Sequence, residues 1–227
     1  MSQKKKPTPA ARTLVVGDVH GCYTELMDLL DKAAVGSGDR VVFVGDLINR
    51  GPDNRQVLDF VQSSPQSRSV MGNHEYNLLR YYRGETRELK NSYQRLIQEL
   101  GRDFGYYMDF VAQFPYALEL DEALVIHAGV RPGLPLSEQD PEDLVNLRAL
   151  GPEGIPWYEF YTGQKPIIFG HWVRLEPLVL KNAIGLDTGC VYGGQLSGVW
   201  LPDFEIVSVP ARDIYVYKPD KAYLYKG

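Results

Sequence analysis

The sequence has little cysteine, no long apolar run and no excess of positive charge. Its two cysteines, Cys22 and Cys190, are too few for a disulfide framework, so we expect a cytoplasmic protein in a reducing environment. No apolar run approaches the roughly 20 residues of a membrane-spanning helix, and we therefore expect no membrane partner. The formal net charge of −5 argues against a broad basic surface for DNA. An anionic substrate must therefore be held by local groups.

The length and composition predict one globular domain. Hydrophobic residues make up 44% of the 227 residues and charged residues 23%, which is ordinary for a protein with a substantial core. We predict a disordered tail over residues 1–12, because its lysines are followed by Pro7 and Pro9 and not by the apolar stretch of a signal peptide. A single domain is then expected over residues 13–227, and we expect a monomer.

Short apolar runs alternate with helical patterns in the first half of the chain. Residues 13–16 and, after Arg40, residues 41–44 are apolar or β-branched, which predicts strands over 13–16 and 40–44, and helical spacing of leucines follows the first of them. The order strand, polar loop, helix, strand is typical of an α/β sheet. Residues 76–110 have a polar helical pattern without a motif. Further strands dominate the second half, so we predict two packed sheets with helices outside, and an edge strand with a tail over residues 215–227.

The chain has only four histidines, and each stands in a short motif directly after a predicted strand. These motifs and one related Gly-Asp pair are Gly17-Asp18-Val19-His20-Gly21, Gly45-Asp46, Gly72-Asn73-His74-Glu75, His127-Ala128-Gly129 and Gly170-His171. A single histidine after a strand is commonly structural, and a Gly-Asp pair is commonly a turn. The joint occurrence of five such strand endings indicates a metal centre.

The candidate ligands have mixed nitrogen and oxygen donors. Together they are Asp18, His20, Asp46, Asn73, His127 and His171. Such a set suits Mn²⁺, Fe or Zn²⁺ and lacks the thiolates of a structural zinc site. It is large enough for two ions roughly 3.5–4 Å apart, and the carboxylate of Asp46 could bridge them. Cys22 and Cys190 flank motif glycines, so either a metal contact or ordinary packing of small buried thiols is open.

These motifs, with Asn49-Arg50-Gly51 extending the second one, resemble those of the calcineurin-like metallophosphoesterases of the phosphoprotein phosphatase superfamily. The resemblance covers about residues 13–210. It implies an α/β fold with four layers, α/β/β/α, in which two mixed sheets are flanked by helices. It also implies two divalent metal ions, with Mn as the first expectation and Fe or Zn as alternatives. One ion would be held by Asp18, His20 and Asp46, and the other by Asp46, Asn73, His127 and His171.

The resemblance further implies catalytic roles for residues outside the ligand set. His74 stands where the family has its general acid, and the reaction would be hydrolysis of a phosphate ester or anhydride by a metal-activated hydroxide. Arg50 would bind phosphate oxygens through its planar fork of donors, and Asn73 would also lie against the substrate. Arg148 resembles a second phosphate-binding arginine, although an ordinary surface arginine is the alternative.

One residue departs from the pattern of the protein phosphatases, which carry Asp where this chain has Asn49. We expect its amide oxygen to accept a hydrogen bond from His74 without a charge that favours the imidazolium. A lower pKa of His74 suits good leaving groups such as phosphoanhydrides. A neutral residue here, together with the segment from Asp187 to Gly194, resembles the bacterial ApaH-like phosphatases of the symmetrical diadenosine tetraphosphatase type.

We therefore expect a small phosphorylated substrate, first of all a dinucleoside polyphosphate or a related nucleotide or RNA-cap anhydride. A phosphoprotein substrate of a serine/threonine phosphatase is the alternative, and Glu75 after His74 favours it. A non-catalytic, metal-stabilised binding protein is a second alternative. The chain is also rich in tyrosine, with 15 residues, and these rings could stack on a nucleobase or pack in the core.

Overall fold

The computed structural model describes residues 12–224. Most of the predicted tail, residues 1–11, lies outside the described residues. Arg12 is described: its guanidinium forms an ion pair with Asp39 at 2.8 Å and lies over the ring of Trp200.

The first half of the chain alternates strands and helices, as predicted. The elements are β1 (Thr13–Val16), α1 (Tyr23–Lys32), β2 (Arg40–Phe43), α2 (Asn54–Ser63), β3 (Ser67–Ser69), α3 (Asn73–Tyr82), α4 (Ser92–Leu100) and α5 (Phe104–Val111). The helical segment predicted over residues 76–110 therefore consists of three helices, two of them separated by a loop over residues 83–91.

The second half consists mainly of short strands. In chain order these elements are β4 (Ala117–Glu119), β5 (Leu124–Ile126), α6 (Pro141–Asn146), β6 (Ala149–Leu150), β7 (Ile155–Pro156), β8 (Ile167–Phe169), β9 (Leu178–Val179), β10 (Ala183–Gly185), β11 (Gln195–Leu201) and β12 (Glu205–Pro210). The strands β11 and β12 form an antiparallel hairpin, in which the pairing runs from Gln195 opposite Pro210 to Trp200 opposite Glu205.

Two five-stranded mixed sheets form the centre of the molecule. The first has the order β12-β11-β1-β2-β3, in which β1, β2 and β3 are parallel. The second has the order β4-β5-β8-β10-β9, in which β5, β8 and β10 are parallel. Because these parallel strands run in one direction within each sheet, their carboxyl ends lie at a common edge.

Alternation of buried residues along the strands builds the layers. In β1, Val15 belongs to the apolar cluster between the two sheets, whereas Leu14 and Val16 belong to the cluster under the helices. Successive strand side chains point to opposite faces, so one buried strand serves two cores. A third cluster around Trp157 and Phe169 covers the outer face of the second sheet. The predicted four-layer α/β/β/α sandwich of two mixed sheets flanked by helices is confirmed.

The predicted edge strand near the C-terminus is wrong over the described residues. Residues 215–218 have no strand, and a 3-10 turn follows at Pro219–Leu224. The segment is fixed by other contacts: Tyr215 donates its hydroxyl to Glu25 at 2.8 Å, and the Val216 amide donates to the carbonyl of Val191 at 3.0 Å. These contacts satisfy polar groups of the segment without a sheet partner. No helix of the described residues is long and apolar enough to cross a bilayer.

Candidate functional site

All the predicted metal ligands follow the carboxyl ends of strands, five of them in loops and Asn73 as the first residue of α3. β1 leads to Asp18 and His20, and β2 and β3 lead to Asp46 and Asn73. In the second sheet, β5 leads to His127 and β8 leads to His171. The two sheets therefore bring side chains from six strand ends, β10 included, to one place, which is where ligands bind in α/β folds.

The backbone of these loops is strained at the predicted functional residues. Seven non-glycine residues of the described chain have a positive φ. Five of the seven are predicted site residues, with φ of 49° at His20, 51° at Asp46, 75° at Asn49, 77° at Arg50 and 64° at His171. Left-handed conformations cost non-glycine residues free energy and cluster at functional sites, where the surrounding structure holds them.

Two motif glycines are required by close packing around the carboxylates. A Cβ atom at Gly170 would overlap Oδ1 of Asp18, and a Cβ atom at Gly72 would overlap the backbone nitrogen of Asp46. Both carboxylates are therefore enclosed by backbone that only glycine permits.

His127 presents an unprotonated ring nitrogen to the middle of the site. Its Nδ1 lies 2.8 Å from the carbonyl oxygen of Val44 and donates to it, which leaves the lone pair of Nε2 free. That Nε2 faces Oδ1 of Asn73 at 3.0 Å and Oδ1 of Asp46 at 3.5 Å. Three acceptor atoms thus converge without a proton between them.

His171 adds a fourth acceptor at the same point. Its Nε2 lies 3.2 Å from the carbonyl oxygen of Asn146 and donates to it, so Nδ1 carries a lone pair. This Nδ1 lies 3.0 Å from Oδ1 of Asn73. Acceptors that face one another in a buried site repel unless a cation lies among them. The donor set therefore fits a divalent cation held by Asp46, Asn73, His127 and His171.

The second predicted ion position is formed around His20. Its Nδ1 donates to the carbonyl oxygen of Ile48 at 3.0 Å, and its Nε2 lies 3.5 Å from Oδ2 of Asp46. The Nη1 of Arg50 donates to this Nε2 at 2.6 Å, so a cationic group already faces the lone pair. Ring nitrogens fixed by a backbone acceptor are typical of metal-ligating histidines.

The ligand atoms form two groups that share Asp46. One group contains His20, Asp46 and His74, the other contains Asp46, His127 and His171, and the ligand atoms within each group lie within 4.8 Å of one another. Asp18 belongs to neither group. Its Oδ1 and Oδ2 accept the amide of His171 at 3.2 and 3.1 Å. The predicted bridging position of Asp46 agrees with this geometry, and the ligand role of Asp18 and the metal-free state of His74 remain predictions.

The protonation of the site also fits cations. Burial raises the pKa of Asp46 to about 7, and burial with repulsion from Asp187 and Asp46 raises the pKa of Asp18 well above its ordinary value. Burial lowers the pKa of His127 to about 4, so its imidazole is neutral at pH 7. Carboxylates that lie close together repel one another, and neutral imidazoles do not offset this repulsion. Bound divalent ions would offset it with their positive charge.

Sequence reasoning placed Asp187 only in a motif and missed its position in the site. Its carboxylate is buried, and its Oδ1 accepts the amide of Gly189 at 3.1 Å. Burial raises its pKa, and repulsion from it raises the pKa of Asp18. The signal was present, since Asp187 follows the end of β10 as the other site residues follow their strands.

Glu75 supports the framework of the site and does not face the cleft. Its side chain accepts the amides of Asp46 at 2.9 Å, Gly72 at 3.1 Å and Ile48 at 3.1 Å, and it is fully buried. It therefore joins the second and third motif loops. Since its oxygens bind the backbone of the protein, this residue does not distinguish one substrate from another.

The contact between Asn49 and His74 exists, but its direction differs from the expectation. Oδ1 of Asn49 accepts the amide of Arg50 at 2.9 Å, so Nδ2 donates to Nδ1 of His74 at 2.8 Å and to the hydroxyl of Ser92 at 3.2 Å. A ring nitrogen that accepts carries no proton, so the neutral imidazole bears its proton on Nε2. Burial lowers the pKa of His74 well below its ordinary value, and Arg50 and His20 lower it further.

The two predicted phosphate-binding arginines lie on the same cavity. Nη2 of Arg148 donates to the carbonyl oxygen of His171 at 3.0 Å, so this arginine is tied to a candidate ligand. The guanidinium of Arg50 lies 5.4 Å from the ring centroid of the buried Tyr192, a residue of the motif from Asp187 to Gly194. This distance allows a cation–π interaction between the ring and the guanidinium.

The cavity above these residues has a volume of about 690 Å³. Its lining includes five cationic residues, Arg50, Lys90, Arg95, Arg148 and Lys218, and no carboxylate of the described residues. The molecule has a net charge of −5, so this cationic lining is a local feature. A high local positive potential is suited to a polyanion.

A second cavity of about 220 Å³ meets the first one at the ligand loops. The two share Arg50, Asn73, Arg148, His171 and Lys218. The smaller cavity continues along Trp172 and Tyr192, and the larger one continues along Tyr93 and Tyr215. The two cavities therefore adjoin at the ligand loops and form one cleft.

The aromatic side chains of the described residues divide among the core, the exposed surface and the cleft. Trp157 and Tyr158 are buried in the cluster on the outer face of the second sheet, whereas Tyr82 and Tyr106 are exposed away from the cleft lining. None of these four rings lines either cavity of the cleft. The aromatic side chains that do so are Tyr93 of α4, Trp172 after β8, Tyr192 of the 3-10 turn Cys190–Tyr192 and Tyr215 of the C-terminal segment.

Comparison with known proteins identifies the family and several relatives of this chain. A family model described as calcineurin-like phosphoesterase matches residues 11–174. An asymmetrical bis(5'-nucleosyl)-tetraphosphatase PrpE of Anoxybacillus flavithermus is 34% identical, over 89% of this chain and 95% of that protein. A symmetrical bis(5'-nucleosyl)-tetraphosphatase of Janthinobacterium is 29% identical, over 87% of this chain and 95% of that protein.

A solved structure agrees with these sequence relatives. It is described as that of a candidate diadenosine tetraphosphatase, and it superposes with a TM-score of 0.79 at 32% sequence identity. The match covers 92% of this chain and 97% of the other. The structural similarity therefore extends over most of the length of both chains.

Proposed function

Because the chain belongs to the calcineurin-like phosphoesterase family, and is therefore a hydrolase of phosphoester or phosphoanhydride bonds, we propose that it cleaves dinucleoside polyphosphates such as diadenosine tetraphosphate. The observation that carries this proposal is the hydrogen bond from Nδ2 of Asn49 to Nδ1 of His74. It is supported by the names of the relatives, which are bis(5'-nucleosyl)-tetraphosphatases.

Two divalent metal ions would be held by the residues described above. We assign Asp46, Asn73, His127 and His171 to one, and Asp18, His20 and Asp46 to the other. The mixed donors suit Mn²⁺ first, with Fe or Zn²⁺ as alternatives. When bound, such ions supply Lewis-acid stabilisation of phosphoryl oxygens and lower the pKa of coordinated water.

Arg50 and Arg148 would hold the phosphoryl group that is attacked. Both guanidinium groups line both cavities of the cleft, so they stand where the two cavities meet. A planar fork of donors can bind two phosphate oxygens at once. Negative charge that gathers on these oxygens in the transition state would be stabilised by donors already in position. Asn73 would contact the substrate from the side of the ligand loops.

His74 would act on the leaving oxygen through Nε2. With Nδ1 occupied by the Asn49 amide, the ring is a neutral hydrogen-bond donor and not an imidazolium. A neutral donor stabilises a leaving group that already carries its charge well, such as a nucleotide phosphate. It is a poor acid for the strongly basic alkoxide of a phosphoserine. The site chemistry therefore favours anhydrides over phosphoprotein esters.

The shape and charge of the cleft agree with a long substrate. A phosphomonoester occupies one position at the metal ions, whereas a dinucleoside polyphosphate extends from it in both directions. The cleft has two adjoining cavities; cationic residues line both, and the smaller one also has the carboxylates of Asp187 and Asp220 in its lining. Tyr93 lines the larger cavity and Trp172 the smaller one, and either ring would offer an aromatic surface on which a base could stack.

The test is a comparison of kcat/KM with Mn²⁺ present for diadenosine tetraphosphate, capped RNA, inorganic polyphosphate and a phosphoserine peptide. We expect diadenosine tetraphosphate to be preferred by at least about tenfold, and chromatography of the products assigns asymmetrical or symmetrical cleavage. Preference for the phosphoserine peptide would instead support the serine/threonine phosphatase alternative. Absence of turnover on all four and on p-nitrophenyl phosphate would leave only a binding protein.

We also propose a cytoplasmic monomer. Both cysteines are buried and free, which agrees with a reducing compartment. Gel filtration at micromolar concentration is the measurement that checks the oligomeric state.

A further inference from the structure

A second group of metal-binding side chains lies apart from the proposed dinuclear centre. One ligand atom from each of Cys22, Glu25 and Cys190 lies within 4.8 Å of the others, and all three residues are buried. We propose that this cluster, called the thiol cluster below, binds one thiophilic divalent cation of the zinc class. It is independent of the proposed substrate, because none of its residues is used in catalysis.

The carboxylate of Glu25 provides the observation that points to a ligand. Its Oε1 accepts the hydroxyl of Tyr215 at 2.8 Å and the amide of Arg212 at 2.9 Å. Its Oε2 is buried and has no hydrogen-bond partner in the described residues. A carboxylate oxygen buried without a partner is costly, and a bound cation is the group that would satisfy it.

The two thiols complete a ligand set of the zinc type. Cys22 directly precedes α1, and Cys190 begins the 3-10 turn Cys190–Tyr192, so the fold brings together residues from distant parts of the chain. Two cysteine sulfurs with one carboxylate oxygen are donors that Zn²⁺ accepts, and they leave its fourth tetrahedral position to water. Hard cations such as Mn²⁺ prefer the nitrogen and oxygen donors of the other site. The two sites should therefore select different metals.

A cation in the thiol cluster would join three parts of the substrate cleft. Cys22 is two residues from His20, and Cys190 is two residues from Tyr192, whose ring supports Arg50. Glu25 holds Tyr215, which lines the larger cavity. The ion would thus fix the loops around the cleft from outside, in the manner of a structural metal.

The experiment uses the full-length, reduced protein with its dinuclear centre first loaded with Mn²⁺, and Cd²⁺ as the spectroscopic probe. Cd²⁺ bound by thiolates gives an ultraviolet charge-transfer band, which the nitrogen and oxygen ligands of the dinuclear centre cannot produce. We expect a band that saturates at one Cd²⁺ per chain and is displaced by Zn²⁺.

Variants separate the two sites. Cys22→Ala and Cys190→Ala should each abolish the saturable band while manganese remains bound. Glu25→Gln should weaken Cd²⁺ binding by at least about tenfold, because loss of a side chain that only orients a metal ligand already lowers metal affinity by about that factor. His171→Asn, which removes a proposed ligand of the dinuclear centre, should keep the band. If the unaltered protein binds Cd²⁺ with this band but does not hydrolyse dinucleoside polyphosphates, the proposed function fails and the thiol cluster stands.

A measurement on the unaltered protein covers the case in which a cysteine variant does not fold. Zn²⁺ should slow the reaction of the two thiols with a disulfide reagent by at least about tenfold, since bound thiolates are poor nucleophiles and the fold is held more tightly. The proposal is overturned if folded protein shows no thiolate band, if the band persists in the folded cysteine variants, if Glu25→Gln binds Cd²⁺ unchanged, or if Zn²⁺ leaves thiol reactivity unchanged.

Discussion

The floor and the rim of the cleft are built in different ways. The floor consists of the proposed ligands Asp18, His20, Asp46, Asn73, His127 and His171, which follow strand ends and are buried or partly buried. The rim consists of Lys90, Arg95, Tyr215 and Lys218, which come from α4, the loop before it and the C-terminal segment. Positive φ values occur at three floor residues and at none of the four rim residues.

From this difference we infer that the floor determines the reaction and the rim determines the choice of substrate. The floor is held by backbone contacts on every side, so its geometry tolerates little change. The rim side chains, of which Lys90 and Arg95 are exposed, contribute charge without forming the centre itself. Changes in the floor should therefore abolish activity, and changes in the rim should alter which phosphate compounds are used.

The largest effect is expected from Asp46→Asn in the floor. Asp46 belongs to both ligand groups, so the variant should lose both metal ions, and turnover should fall by at least about 10³-fold because the ions contribute several kcal/mol to catalysis. Elemental analysis and kcat report the two consequences. The matched control is Asp121→Asn on the exposed surface, which should keep both metals. Two ions still bound to Asp46→Asn would refute the bridge.

His74→Asn tests the boundary between ligand and catalyst within the floor. We expect about 10²-fold lower kcat with both metals retained, which is within the usual range for removal of a general acid. Because His74 lies within ligand distance of His20 and Asp46, loss of one metal from the variant would reassign it as a ligand. Unchanged kcat would remove it from the mechanism.

The double variant Lys90→Ala with Arg95→Ala addresses the rim. We expect KM for diadenosine tetraphosphate to rise about tenfold, since two partly screened charges that face phosphate oxygens are removed. Activity on p-nitrophenyl phosphate, which is too short to reach them, should stay within about twofold. Lys181→Ala, at an exposed position between β9 and β10, is the control. An equal loss of activity on both substrates would show that the rim residues affect the floor and do not bind the distal part of a long substrate.

The smallest effect is expected from Asn49→Asp, which changes one polar group beside the floor. A carboxylate would accept a proton from Nδ1 of His74 and favour the imidazolium, which is a better acid for poor leaving groups. The ratio of kcat/KM for a phosphomonoester with an alkyl leaving group to that for diadenosine tetraphosphate should increase by about three- to tenfold. Asn77→Asp, also on the larger cavity, serves as the control for added charge. A ratio that does not change would contradict the argument from the Asn49 amide.

Most of the floor could be predicted from local sequence. Asp46 follows a β-branched strand and Gly45, and this pattern of strand, glycine and polar residue predicts a loop. The structure agrees, because Gly45 has a φ of 90°, which glycine adopts readily. Strand direction then requires that such loops meet at one edge of each sheet. Asp187 follows the same rule and was overlooked only because its loop contains no histidine.

The orientation of side chains within the floor could not be predicted. The sequence contains Asn49 and His74 but does not state which amide atom faces the ring. That was decided when the amide of Arg50, in a left-handed turn, took Oδ1 of Asn49 as its acceptor. Similarly, Glu75 favoured a protein phosphatase when it was interpreted as part of a motif, whereas its contacts show a structural residue.

The sequence by itself determined the layers, the strand ends and the donor types, because alternation, glycine and residue chemistry act over a few neighbouring positions. Only the tertiary structure decided the rim and the thiol cluster. Glu99 of α4 accepts the side chain of Asn54 at 2.7 Å and the amide of Arg55 at 2.8 Å, which docks α4 beside the cleft. Tyr215 is docked by Glu25 across 190 positions of the chain. Long-range contacts of this kind depend on how whole helices and strands pack against one another, and no local sequence pattern encodes this packing.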